Sequence, residues 1–125
     1  MNLSIRKLPD TELEVMQAIW KCEVPVSRSE INNQIKDTHP MASTTLLTLL
    51  TRLSEKGFIR IEKVTRSSLY YPLISREDYL AAQSQRFFKK LCGGNISTFA
   101  NALCDSGLTK EELAELRDLL ERNEL

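Results

Sequence analysis

The sequence is poor in the residues that most chemistry needs. It holds one histidine, His39, beside a proline in a polar stretch. A single imidazole with nothing to orient it excludes a Ser/His/Asp arrangement. Glycine occurs four times, never as a loop that could cradle a phosphate, and Gly93–Gly94 reads as a helix stop. The three cysteines, Cys22, Cys92 and Cys104, are odd in number and widely spaced, with no CxxC or CxC. That excludes a disulfide framework and a zinc or copper cluster, so no metal and no cofactor is expected. No run approaches about eighteen consecutive apolar residues, which excludes a membrane-spanning helix. The opening "MNLSIRKLPDTEL" has no apolar core of signal-peptide length, and the expected location is the cytoplasm. The acids Glu111, Glu112, Glu115, Asp118 and Glu121 read as a solvated helix face rather than a metal site. The chain is not expected to be an enzyme.

An excess of either charge is missing too. Seventeen Lys/Arg balance seventeen Asp/Glu. The distribution is less even: residues 1–73 hold ten basic and eight acidic side chains, residues 74–125 seven and nine. Residues 43–74 hold five against two. Net neutrality does not point to nucleic acid, and the local excess points to it only mildly. With 42% hydrophobic and 27% charged residues, the 125-residue chain has the make-up of a soluble globular protein of one domain or a domain with an appendage.

What the sequence does contain is clear helix punctuation. "LPDTELEVMQAIWK" predicts a first helix, with Asp10 and Glu12 in its first turn and Leu13, Met16, Ile19 and Trp20 on one apolar stripe. Trp20 reads as core filling. Ser27 and Glu30 form an S-x-x-E capping box, with Val26 and Ile31 as a hydrophobic staple, and open a short second helix. "DTHP" interrupts it. "STTLLTLLTRLSEKG" is a third helix, stopped at Gly57. "FIRIEKV" and "LYYPL" around the polar "TRSS" predict a two-stranded hairpin. Three helices then a hairpin, with helices two and three joined by a short break, is the order of a winged helix-turn-helix. Beyond it lie "SREDYLAAQSQRFFKKL", "ISTFANALC" and "LTKEELAELRDLLERNEL", the last opened by a Thr109/Glu112 capping box with a Leu108/Leu113 staple. The expected fold is therefore mainly α with a small β hairpin: a winged helix-turn-helix at 1–74 and a helical dimerisation region of three helices at 75–125.

The third helix has four threonines, each costing up to about 0.7 kcal/mol against alanine. At about 100° per residue, Leu46, Leu49, Leu50 and Leu53 face inward. Thr44, Thr48, Thr51 and Arg52 face outward, with Thr45 at the edge. Exposed helix faces ordinarily use better helix formers. Short hydroxyls, one guanidinium and a positive helix N-terminus suit a duplex groove instead. Lys63 and Arg66 around the hairpin turn, Tyr70 after it and Arg28 at the second helix's first turn extend the same surface. The expected DNA-binding set is Arg28, Ser43, Thr44, Thr45, Thr48, Arg52, Lys63, Arg66 and Tyr70, and the expected partner is double-stranded operator DNA. After the wing, Phe87, Phe88, Leu91, Phe99, Leu103, Leu113, Leu116 and Leu120 are too many apolar residues for one small domain to cover. They predict a homodimer interface.

The segments "LPDTELEVMQAIW", "TLLTLLTRLSEKGFI" and "LYYPLISREDYL", with the acidic last helix, resemble the penicillinase-repressor and methicillin-resistance-repressor family of bacterial winged-helix regulators, over residues 8–123. The resemblance implies a homodimer on a palindromic operator, blocking transcription. Thr45, Thr48 and Arg52 match the family's recognition-helix pattern and Arg66 its basic wing residue. Ser43 stands where many members have Pro, and Ala42 where many have a Ser cap. The family is induced through a membrane sensor-protease pathway, after a signal such as a β-lactam, by a cut between an Asn and a Phe. The matching pair here is Asn101–Ala102, which keeps the Asn and lacks the Phe. A sensor-linked metalloprotease is thus an implied partner. A copper-responsive branch has a C-terminal CxC…CxC cluster that this chain lacks. The alternative readings are a winged helix that binds protein, favoured by net neutrality, and a small-molecule-responsive regulator without proteolytic induction.

Overall fold

The computed structural model describes residues 5–122. The outermost ends of both expected regions, residues 1–4 and 123–125, lie outside the described residues. The backbone forms two compact units that divide between Gln83 and Ser84. The sequence placed the change at 74/75. The difference has a physical cause: Tyr79 and Ala82, on the fourth helix, are buried with the core of the first unit.

In the first unit, helix α1 (Asp10–Lys21) precedes a two-residue strand β1 (Val26–Ser27), helix α2 (Arg28–Ile35) and helix α3 (Ser43–Glu55). Strands β2 (Ile59–Val64) and β3 (Ser67–Pro72) follow, and helix α4 (Arg76–Arg86) starts in this unit. The expected hairpin is present, but the sheet has three strands in the order β1-β3-β2, all antiparallel. Val26 pairs with Tyr70 and Ser27 with Leu69, so the cap of α2 is also the end of a sheet strand.

The capping box forms as its residues dictate. The Glu30 amide donates to Ser27 Oγ at 3.2 Å, and the Ser27 amide donates to Glu30 Oε1 at 3.0 Å. Staple residues Val26 and Ile31 are both buried. Gly57 takes a φ of +81°, the left-handed conformation that ends α3 without a Cβ clash. Leu46, Leu49, Leu50 and Leu53 are buried in one core with Val15, Met16 and Ile19 of α1 and Ile31 and Ile35 of α2. Four buried leucines at roughly 2 kcal/mol each outweigh the propensity cost of four threonines on the opposite face. Leu13 and Trp20 are half-buried and pack against this core. Trp20 Nε1 donates to the Ile74 carbonyl at 2.9 Å, and the Leu8 amide donates to the Tyr79 hydroxyl at 2.9 Å. These bonds satisfy the polar ends of two large rings whose centroids lie 5.7 Å apart.

In the second unit, the helix expected to run unbroken to Leu91 changes pitch. A π-helical turn, Phe87–Leu91, follows α4, with the Cys92 amide donating to the Phe87 carbonyl. Gly93 and Gly94, both at positive φ, stop it. Helix α5 (Ile96–Asp105) is capped by Asn95, whose side chain accepts from the Thr98 amide at 3.0 Å. Helix α6 (Lys110–Arg122) begins at the expected capping box, Glu112 N–H to Thr109 Oγ1 at 3.0 Å and Thr109 N–H to Glu112 Oε1 at 2.9 Å. Phe99 sits between Phe87 and Phe88, with centroids 5.8 and 5.6 Å away. Among the described residues of this unit only Cys92 is buried, and neither α5 nor α6 has a buried side chain.

Candidate nucleic-acid interface

Helix α3 presents its threonines to solvent. Thr44, Thr45, Thr48, Thr51 and Arg52 are all exposed, as is Ser43. The helix begins at Ala42, which has no side-chain oxygen to cap it, and the first intrahelical bond is Leu46 N–H to the Ala42 carbonyl. The amides of Ser43, Thr44 and Thr45 therefore precede the helix's own hydrogen-bond ladder. With the helix dipole behind them, they form an anion-binding end. Two hydroxyls turn inward along the helix: Thr48 Oγ1 donates to the Thr44 carbonyl at 3.0 Å, and Thr51 Oγ1 donates to the Leu47 carbonyl at 2.9 Å.

Beside α3 lies a groove bounded by the start of α2 and the β2–β3 turn. Its lining includes Arg28, Asn32, Asn33, Leu47, Lys63, Arg66 and the serines at 27, 29, 67 and 68. Three cations line it and no carboxylate does. This local balance differs from the neutrality of the whole chain, and it is what an approaching phosphate meets. The turn is the two residues Thr65 and Arg66, since Val64 pairs with Ser67. Thr65 has a φ of +38°, unusual for a β-branched residue. The wing is braced behind: the Arg60 guanidinium stacks 4.1 Å from the Tyr71 ring centroid, and the Tyr71 hydroxyl donates to Glu62 at 3.1 Å.

The groove thus gathers Arg28, Lys63, Arg66 and Tyr70 of the expected set. Ser43, Thr44, Thr45, Thr48 and Arg52 form the adjoining outward face of α3. Tyr70 is a correction. It is 2% exposed and belongs to the core, opposite Val26 and Ile61 in the sheet. Strand alternation turns its ring inward, so it closes the floor of the groove and presents almost no surface to a partner. Leu47, Asn32, Asn33 and Thr65 are groove residues that the sequence did not single out.

In the second unit, the expected interface residues are incompletely covered. Leu91 is 74% exposed, Phe87 and Leu120 are exposed, and Phe88, Phe99, Leu103, Leu113 and Leu116 are half-buried. Asn101 is exposed and Ala102 half-buried, both within α5. Among the described residues no His/Cys/Asp/Glu cluster is able to hold a metal, and no helix is long and apolar enough to cross a membrane.

Residues 8–122 match the penicillinase repressor family model. The penicillinase repressor of Bacillus licheniformis is 32% identical over 120 residues, covering 95% of this chain and 93% of that protein. The methicillin resistance regulatory protein MecI of Mammaliicoccus sciuri is 32% identical over 123 residues, covering 98% and 99%. Among solved structures, the DNA-binding domain of the repressor BlaI superposes with a TM-score of 0.52 at 35% identity, covering 60% of this chain and 90% of that one. An outward hydroxyl-and-guanidinium helix beside a basic wing, in a winged-helix fold, agrees with these matches: the chain belongs to the penicillinase repressor family.

Proposed function

We propose that this protein is a homodimeric transcriptional repressor that binds a palindromic operator in double-stranded DNA. The observation that carries the reading is the acid-free cationic groove continuous with the outward face of α3. Helix α3 enters a major groove. The amides at its N-terminus and Arg28 take phosphates, Arg52 reaches a phosphate or a guanine, and Lys63 and Arg66 of the wing hold the adjacent backbone. The names of the relatives, penicillinase repressor and methicillin resistance regulatory protein, support a role in resistance to β-lactams.

Dimerisation through α5, α6 and the segment around Phe87 is supported by apolar side chains that the single chain leaves uncovered. Release follows proteolysis in this region by a sensor-linked metalloprotease. The Asn101–Ala102 bond lies within α5, so a cut there requires that helix to open locally.

The test is binding of full-length protein to the DNA upstream of its own gene against random duplex, over a range of salt. Specific binding that falls steeply with salt is expected, and Arg66→Ala should lower the salt slope by about one while weakening all sequences alike. Equal affinity for both DNAs refutes the reading. Mass analysis of the chain after β-lactam exposure of the cells should give fragments ending at Asn101. An intact chain in induced cells removes the proteolytic step alone.

A further inference from the structure

We propose that Leu47 is a base-reading residue that selects an A·T pair by covering the thymine methyl. The inference rests on the DNA-binding reading above and names what one part of that surface reads. Leu47 is 40% exposed on a helix whose other leucines at 46, 49, 50 and 53 are buried. It is the α3 residue that lines the cationic groove, so it stands where the helix face and the wing meet. Its neighbours on the helix surface are Thr44 and Thr51, three and four residues away.

Thr51 has spent its hydroxyl donor, as has Thr48 elsewhere on the exposed side of α3. Thr48 donates to the Thr44 carbonyl and Thr51 to the carbonyl of Leu47 itself. What remains for a partner is a γ-methyl and an acceptor lone pair on each. Leu47 with Thr51 therefore offers apolar surface and an acceptor, while the donors of the groove stand on α2 and the wing. In the major groove a guanine presents two acceptors, to which the Leu47 side chain itself has nothing to offer. An A·T pair presents the thymine C5-methyl for Leu47 and the adenine N6 amine, a donor, for a threonine oxygen. Arg52, one turn on, supplies donors for a guanine at a separate position.

The experiment deletes the methyl from the DNA without touching the protein. Full-length protein selects sites from a random duplex library at fixed salt. The enriched site is then remade with uracil replacing one thymine at a time. Removing one buried methyl should weaken wild-type binding about four-fold at a single thymine in each half-site. Leu47→Ala should bind the unmodified site more weakly by a similar factor and be indifferent to uracil at that position. Alanine at an exposed helical position is not expected to disturb folding, and an unchanged thermal melt checks this. The proposal is overturned if Leu47→Ala keeps the full uracil penalty, if no thymine methyl matters to the wild type, or if the position lost in Leu47→Ala is a G·C pair. Failure to enrich any sequence refutes the DNA-binding reading itself, a result distinct from these.

Discussion

Glu12 and Lys56 tie the start of α1 to the end of α3. Glu12 lies in the first turn of α1 and is 3% exposed, and Lys56, at the C-terminal end of α3, reaches it at 2.5 Å. Each charge sits at the helix end whose dipole favours it. The pair is asymmetric, because Lys56 keeps a path to water and Glu12 does not. Lys56→Ala should cost about 3 kcal/mol by leaving a buried carboxylate unpaired, and Glu12→Gln distinctly less. Urea unfolding of the two variants measures the difference. Cys22 gives a smaller signature. Burial, then the nearby Glu30 carboxylate, pushes its thiol above the usual range. A raised native value means its contribution is complete below the thiol's ordinary titration range and is lost as pH rises through it. Thermal stability should therefore fall more steeply at alkaline pH in the wild type than in Cys22→Ser. Single residues were the hardest features to read from the sequence. Tyr70 follows the wing turn closely in sequence, yet β alternation buries it. Leu47 is a leucine, yet it faces out. The Glu12–Lys56 pair joins positions that only tertiary packing brings together.

At the scale of elements, local rules were sufficient wherever they acted alone. Both capping boxes, the Gly57 stop and the leucine stripe of α3 are set by residues within one or two turns, and all are realised in the structure. Ser27→Ala should cost about 1 kcal/mol by freeing the first-turn amides of α2, seen as a lower urea midpoint with an unchanged slope. Pairing at long range was not legible. Strand β1 is two residues, too short for any period, and it exists because β3 offers Val26 and Ser27 partners at Tyr70 and Leu69. The pitch change at Phe87–Leu91 lies inside a run with good helical periodicity, and only packing of three phenylalanine rings accompanies it. Of the candidate interface, the outward placement of the threonines and Arg52 and the position of the wing cations were legible from helical and hairpin spacing. The groove was not, because Asn32 and Leu47 join Arg66 only once α2, α3 and β3 are packed.

At the scale of the molecule, a folded winged unit precedes helices that bury almost nothing by themselves. The proposed dimer would resolve that imbalance and double the DNA contacts. Leu120→Asp tests it with little effect on the single chain, since Leu120 is 49% exposed there. Sedimentation should show a shift from dimer to monomer, with operator affinity falling roughly 100-fold or more as the second half-site is lost. A dimer of unchanged stability places the interface elsewhere. The central claim is that α3 and the wing face the duplex. Its most direct test is a residue-by-residue NMR titration of the full-length protein with DNA from upstream of its gene. The largest amide shifts are predicted at 43–52, at 63–68 and at Arg28. Shifts confined to other surfaces, with those residues unmoved at saturation, would contradict it.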